Sequence, residues 1–118
     1  MKPTVRFTVE LDIADGKHDD FERIARSMSD RTKTEPGALE YDFYISDDRK
    51  RCRLLEAYTG ADAVLAHLKG PVVQELVPQL LASSSLTRFE VYGDPGPEAA
   101  QILSGLGVAI YSRLHATA

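Results

Sequence analysis

The stretch Glu35-Pro36-Gly37-Ala38-Leu39-Glu40-Tyr41-Asp42-Phe43-Tyr44-Ile45 joins two kinds of local order. Its first four residues have turn chemistry: proline presets φ at the second position and glycine permits a positive φ at the third. Beyond them Leu39, Tyr41, Phe43 and Ile45 alternate with Glu40, Asp42 and Tyr44, the two-residue period of a half-buried strand. Upstream, across residues 17–33, the period changes. Phe21, Ile24, Ala25, Met28 and Thr32 recur at helical spacing, and Asp19, Asp20, Glu22, Arg23 and Arg26 take the other side, which predicts an amphipathic helix. The stretch therefore marks the point where a helix gives way to a strand.

Working outward in both directions extends the pattern. Residues 4–12 alternate, with Val5, Phe7, Val9 and Leu11 opposed by Thr4, Arg6, Thr8 and Glu10. After a polar hairpin loop at 46–50, residues 52–59 read as a third strand, in which Leu55 and Ala57 oppose Leu54, Glu56 and Tyr58. A helical region opens at Gly60-Ala61-Asp62 with Val64, Leu65 and Leu68 as its stripe, breaks at Gly70-Pro71, and resumes through Val72, Leu76 and Leu80; Pro78 should kink or shorten it. Ser83-Ser84-Ser85 reads as a linker and 86–92 as a fourth strand. Past the turn Gly93-Asp94-Pro95-Gly96-Pro97, residues 98–114 read as helical, weakened by Gly105 and Gly107.

The order β-α-β-β-α-β is the split βαβ arrangement. The expected fold is therefore α+β, ferredoxin-like: a four-stranded antiparallel sheet with helices on one face and an extra C-terminal helix. Residues 1–92 would form the basic domain and 93–118 its helical extension. The uncovered face, in this phasing, carries Arg6, Thr8, Glu10, Glu40, Asp42, Tyr44, Leu54, Glu56 and Tyr58. That set is too apolar to leave in water, so a second copy is expected to cover it, giving a homodimer whose sheets enclose a pocket.

Composition bounds the function. Fourteen Lys and Arg against eighteen Asp and Glu give a net charge of −4 over 118 residues, without the basic footprint of a nucleic-acid binder. No apolar run approaches the roughly 20 residues of a membrane span. A single cysteine, Cys52, excludes an internal disulfide, and the opening residues lack the apolar core of a signal peptide; a cytoplasmic protein is expected. The chain also contains neither Trp nor Asn.

The segment Glu35–Tyr44, the strand Leu54-Leu55-Glu56-Ala57-Tyr58, and Ala66-His67-Leu68-Lys69-Gly70-Pro71-Val72-Val73 resemble, in order and spacing, segments of the antibiotic biosynthesis monooxygenase family. The resemblance spans about residues 4 to 92. It implies a dimeric α+β barrel and a range of activities: oxidation of quinols or aromatic polyketides by O₂ without metal or flavin, haem degradation, and isomerisation of small signalling molecules, with some members of no known activity. Haem-degrading relatives rely on an Asn, a Trp and a His; only the His has a counterpart here, at His67, which argues against that branch. Fold alone does not choose among the others.

His67 is the expected catalytic residue, since neutral imidazole accepts a proton near pH 7 and only a deprotonated phenol or quinol gives an electron readily to O₂. The competing reading is a helix-flank histidine bonded to backbone. Tyr44, Tyr58 and Tyr92 are candidates for an aromatic pocket, or simply good strand residues. Glu56 is either a pocket acid or an interface ion pair with Arg6 or Arg88, and Glu40 and Asp42 read as solvated or matched to Arg53. Cys52 reads as a reduced structural residue, and His18, His67 and His115 are too dispersed for a metal motif. The expected enzyme is a monooxygenase that takes a small aromatic or quinol-like ligand and no cofactor. The alternatives are a non-catalytic ligand-binding or stress-associated barrel and an isomerase of small phosphorylated molecules.

Overall fold

The structure, a computed structural model, describes residues 3–117. Nine elements follow in order: β1 (Val5–Ile13), α1 (His18–Thr32), β2 (Ala38–Ile45), β3 (Arg51–Tyr58), α2 (Ala61–Lys69), α3 (Pro71–Ala82), β4 (Ser84–Tyr92), α4 (Pro97–Ser104) and β5 (Ala109–Tyr111). They build one sheet in the order β2-β3-β1-β4-β5. Each hydrogen-bonded pair among the first four strands is antiparallel, as the βαββαβ order requires, and β5 adds a parallel edge to β4. The ferredoxin-like α+β class holds, with one more strand than expected.

The helix-covered face holds the core. Val9, Leu11 and Ile13 meet Phe21, Ile24, Ala25 and Met28 of α1 and Val72, Leu76 and Leu80 of α3. At the other end Val5, Phe7 and Val91 meet Val64 and Leu68 of α2 and Ala99 and Leu103 of α4. Five of the positions predicted from helical spacing, Phe21, Ile24, Ala25, Met28 and Thr32, are the buried residues of α1. Helix α3 runs through Pro78 to Ala82, and the serines expected as a linker mostly enter β4.

Two expectations are corrected. The third strand has the opposite phase: Cys52, Leu54, Glu56 and Tyr58 are buried under the helices, opposite Leu11, Val9, Phe7 and Val5 of β1, and Arg51 and Arg53 point to solvent. The arginines decide it. Guanidinium cannot shed its charge, whereas a carboxyl group can be buried by keeping its proton. With a two-residue period, sending 51 and 53 outward sends 52, 54, 56 and 58 inward. The uncovered face is consequently more polar than expected, with Arg6, Glu10, Arg53, Arg88 and Glu90 around Leu55 and Tyr92, and Glu10 is paired to Arg53 at 3.4 Å. The second correction concerns the C-terminal helix. It stops at Ser104, where Leu106 N–H bonds to Leu103 and Gly107 takes φ +70; the chain then turns to form β5.

Candidate active site

The site grows from the turn that decides the fold. Ala38 N–H closes the turn onto the Glu35 carbonyl at 3.2 Å, and Glu35 N–H bonds to the Thr32 carbonyl at 2.9 Å. Gly37 adopts φ +84 and presses against α2: a Cβ there would lie 2.6 Å from Ala63 Cβ and 2.7 Å from Thr59 Oγ1. Thr59 N–H reaches back to the Gly37 carbonyl at 2.9 Å. Only glycine allows both the positive φ and the close approach, and this contact brings Glu35 beside the helix that carries His67.

His67 sits on the buried stripe of α2 with Val64 and Leu68, only 3% exposed. Its Nδ1 lies 2.7 Å from Glu35 Oε1. Its Nε2 faces Glu56 Oε1 at 3.8 Å, beyond hydrogen-bond range. The Tyr58 hydroxyl donates to Glu56 Oε1. Two aromatic rings enclose the imidazole, Tyr41 and Tyr58, each with its centroid 5.3 Å away. The second Glu35 oxygen, Oε2, is buried with no protein partner.

Burial dominates the electrostatics. It pushes the Glu56 carboxyl up to about 8, against the lowering effect of the Tyr58 hydrogen bond, so the group holds its proton at neutral pH. Burial also lowers the His67 imidazole, and the Glu35 hydrogen bond works the other way. Burial is the larger effect, so the net shift is downward and His67 stays neutral and able to accept a proton near pH 7. The phenols of Tyr41 and Tyr58 are raised by burial first and by Glu56 second. Cys52 is a buried free thiol, pushed up by burial to about 11; it is not a nucleophile at neutral pH.

A groove of about 670 Å³ opens between α1 and β2, within the usual size of small-molecule sites. Phe21, Ala25, Ser29, Tyr41 and Phe43 line it. Tyr41 is thus shared: it lines the groove and its ring packs against His67.

Of the residues singled out from sequence, His67, Glu56 and Tyr58 come together. Arg6 and Tyr92 do not; they lie across from each other on the uncovered face. Tyr44 alternates away from Tyr41 and Phe43, is half exposed, and lines the groove without approaching the histidine. Neither Arg6 nor Arg88 is the partner of Glu56, whose contacts are Tyr58 and His67. Glu35 and Tyr41 were missed. Glu35 was legible only as a turn residue and Tyr41 only as a core strand residue; the signal for both lay in their place within the same stretch, a turn and one strand pair away from the histidine. Among the described residues, no group of three or more His, Cys, Asp and Glu side chains is arranged to hold a metal.

The profile of the antibiotic biosynthesis monooxygenase family matches residues 4–79, well over half of the chain. The chain belongs to that family. Solved structures agree on the fold. MupZ from Pseudomonas fluorescens superposes with a TM-score of 0.81 at 22% identity, over 100% of this chain and 91% of that one. Rv0793 from Mycobacterium tuberculosis gives 0.68 at 22% identity over 80% and 97%. A protein of Nitrosomonas europaea, provisionally named an antibiotic biosynthesis monooxygenase, gives 0.71 at 20% identity over 82% and 95%. At these identities the likeness concerns the fold. No curated protein sequence matches the chain. No helix among the described residues is long and apolar enough to cross a membrane.

Proposed function

We propose that this chain is a cofactor-independent monooxygenase that oxidises a small aromatic or quinol-like substrate with O₂. The observation that carries the reading is a neutral, oriented imidazole, with its Nε2 free of any hydrogen bond within reach, enclosed by Tyr41 and Tyr58. The substrate would lie in the groove between α1 and β2, against Tyr41. Tyr41 lines the groove and packs on His67, so its ring must turn aside for the substrate hydroxyl to reach His67 Nε2, which then removes the hydroxyl proton. The resulting anion passes one electron to O₂, the two radicals join at a ring carbon, and the peroxide takes back the proton held by His67. Loss of the ring carbon's own C–H proton then leaves its electron pair as a new C=O while the O–O bond breaks, and the distal hydroxide takes up that proton and leaves as water. One substrate and one O₂ give one oxygenated quinone and one water. Tyr58 and Glu56 complete the wall around the base.

We propose a homodimer as well. Turning Leu54 and Tyr58 inward removes part of the apolar surface first expected there, so this proposal now leans on the family and on Leu55, Tyr44 and Tyr92. Light scattering tests it: a monomer at micromolar concentration contradicts it.

The reading as a binding protein without turnover draws on one specific observation: His67 does not itself line the groove. Oxygen uptake with naphthohydroquinone separates the two. A monooxygenase produces hydroxynaphthoquinone containing one atom from ¹⁸O₂, above the uncatalysed rate, and His67→Ala lowers that rate about 10²–10⁴-fold. Binding with no uptake above background, or equal rates in the two proteins, overturns the proposal.

A further inference from the structure

We propose that Glu35 is the positioning residue of this site: it accepts the Nδ1 proton of His67, so that the basic nitrogen is Nε2, turned toward Glu56. The proposal rests on the reading of His67 as the base and adds which nitrogen acts and what aims it.

The geometry distinguishes the two tautomers. A proton on Nδ1 meets Glu35 Oε1 at 2.7 Å, an ordinary charge-assisted hydrogen bond. A proton on Nε2 would face Glu56 Oε1 at 3.8 Å, too far for a bond, and would leave Glu35 without a donor. Among the described residues, the titratable groups packed around the imidazole are Glu35 on one edge, Glu56 on the other, and Tyr41 and Tyr58 against the ring. Of these four, Glu35 alone is in bonding range of a ring nitrogen.

Glu35 is also built to stay in place. Its N–H and C=O are both bonded, to Thr32 and Ala38, and the turn is pinned onto α2 through Gly37 and Thr59. This is the logic of an acid that orients a histidine without itself exchanging the proton. Mutating Glu35 therefore acts through His67 and not through contact with substrate.

The test is a long-range ¹H–¹⁵N spectrum of histidine-labelled protein, which reports tautomer and titration directly and needs no substrate. Wild type is expected to show His67 protonated at Nδ1 and bare at Nε2. In Glu35→Gln the charge is gone, so the His67 pKa is expected to fall and the Nδ1–H form to lose population. In turnover, the same variant should lose kcat about 10²–10⁴-fold with KM little changed. A wild-type His67 carrying its proton on Nε2 overturns the proposal whether or not the variant folds. So does a folded Glu35→Gln protein with unchanged tautomer and unchanged pKa. If the wild-type spectrum is as expected but naphthohydroquinone is not oxidised, the assignment of Glu35 stands and the monooxygenase reading falls.

Discussion

The same three-residue pattern occurs twice in this sheet, on opposite faces. Glu56-Ala57-Tyr58 ends β3 and Glu90-Val91-Tyr92 ends β4, and in each the tyrosine hydroxyl donates to the glutamate two residues before it. The first pair lies under the helices, with Tyr58 fully buried; the second lies on the uncovered face, where Tyr92 stacks on Tyr111 at 5.5 Å. One glutamate keeps its proton to about pH 8 because water has been taken from it. The other is only half-buried and accepts from both Tyr92 and Tyr111 at the surface, where each such bond is worth little. Local sequence is nearly identical, so burial alone separates a poised proton carrier from a surface contact. The chemistry of this chain comes from which face a strand turns inward.

Truncation should show the largest contrast. Tyr58→Ala removes a ring packed on Phe7 and His67, each with its centroid 5.3 Å away, and should cost about 3–5 kcal/mol in chemical denaturation. Tyr92→Ala should stay within about 1 kcal/mol. Equal losses would mean that the uncovered face is as tightly packed as the core, for instance by a second copy, and repeating the measurement across protein concentrations would expose that.

The second contrast is in pH. The folded chain keeps the Glu56 proton from the ordinary carboxyl value of 4.5 up to about 8, a range in which the unfolded chain has lost it. The folded state therefore binds more protons in that window, and stability falls as pH rises through it. His67, lowered by burial, acts oppositely: its contribution rises with pH and is complete once its ordinary value of 6.5 is passed. Above that value Glu56 acts alone until Cys52 and the tyrosines begin to titrate. Stability should therefore drop by about 2 kcal/mol between pH 6.5 and 8.5. Glu56→Gln should flatten the drop and Glu90→Gln should leave it in place. A drop that survives in Glu56→Gln would show that another group is its source.

Much of this arrangement was legible in the sequence. The alternation of Val5, Phe7, Val9 and Leu11, the helical stripe from Phe21 to Thr32, and the turn at Glu35–Ala38 each depend on local chemistry, and each stands where its residues predict. His67 drew attention through the resemblance at Ala66–Val73 and through its place on the flank of an apolar stripe just before Gly70-Pro71. The phase of β3 was not, because Leu54, Leu55, Ala57 and Tyr58 offer apolar side chains to both faces; the deciding residues were Arg51 and Arg53, at the other end of the strand. Glu35 was hidden for a different reason. Its role is set by the distance between a turn and a helix that come together only when Gly37 docks against Thr59 and Ala63, and Glu35 itself lies 32 positions from His67. Strand β5 is held to β4 by backbone bonds, which side-chain patterns do not report.

The finest contrast removes one oxygen atom from each pair. Tyr58→Phe keeps the ring against Phe7 and His67 but leaves Glu56 Oε1, a buried acceptor, without its donor. That should cost about 1 kcal/mol. It should also raise the Glu56 pKa further, because the Tyr58 hydrogen bond is what holds it down. The pH-dependent fall in stability should then extend to higher pH. Tyr92→Phe leaves the Glu90 carboxylate with Tyr111 and with water as donors, so stability should stay within about 0.5 kcal/mol and the pH dependence below 8.5 should not move. A shift of the pH profile in Tyr58→Phe and none in Tyr92→Phe would separate the two faces by a proton, without disturbing the packing of either.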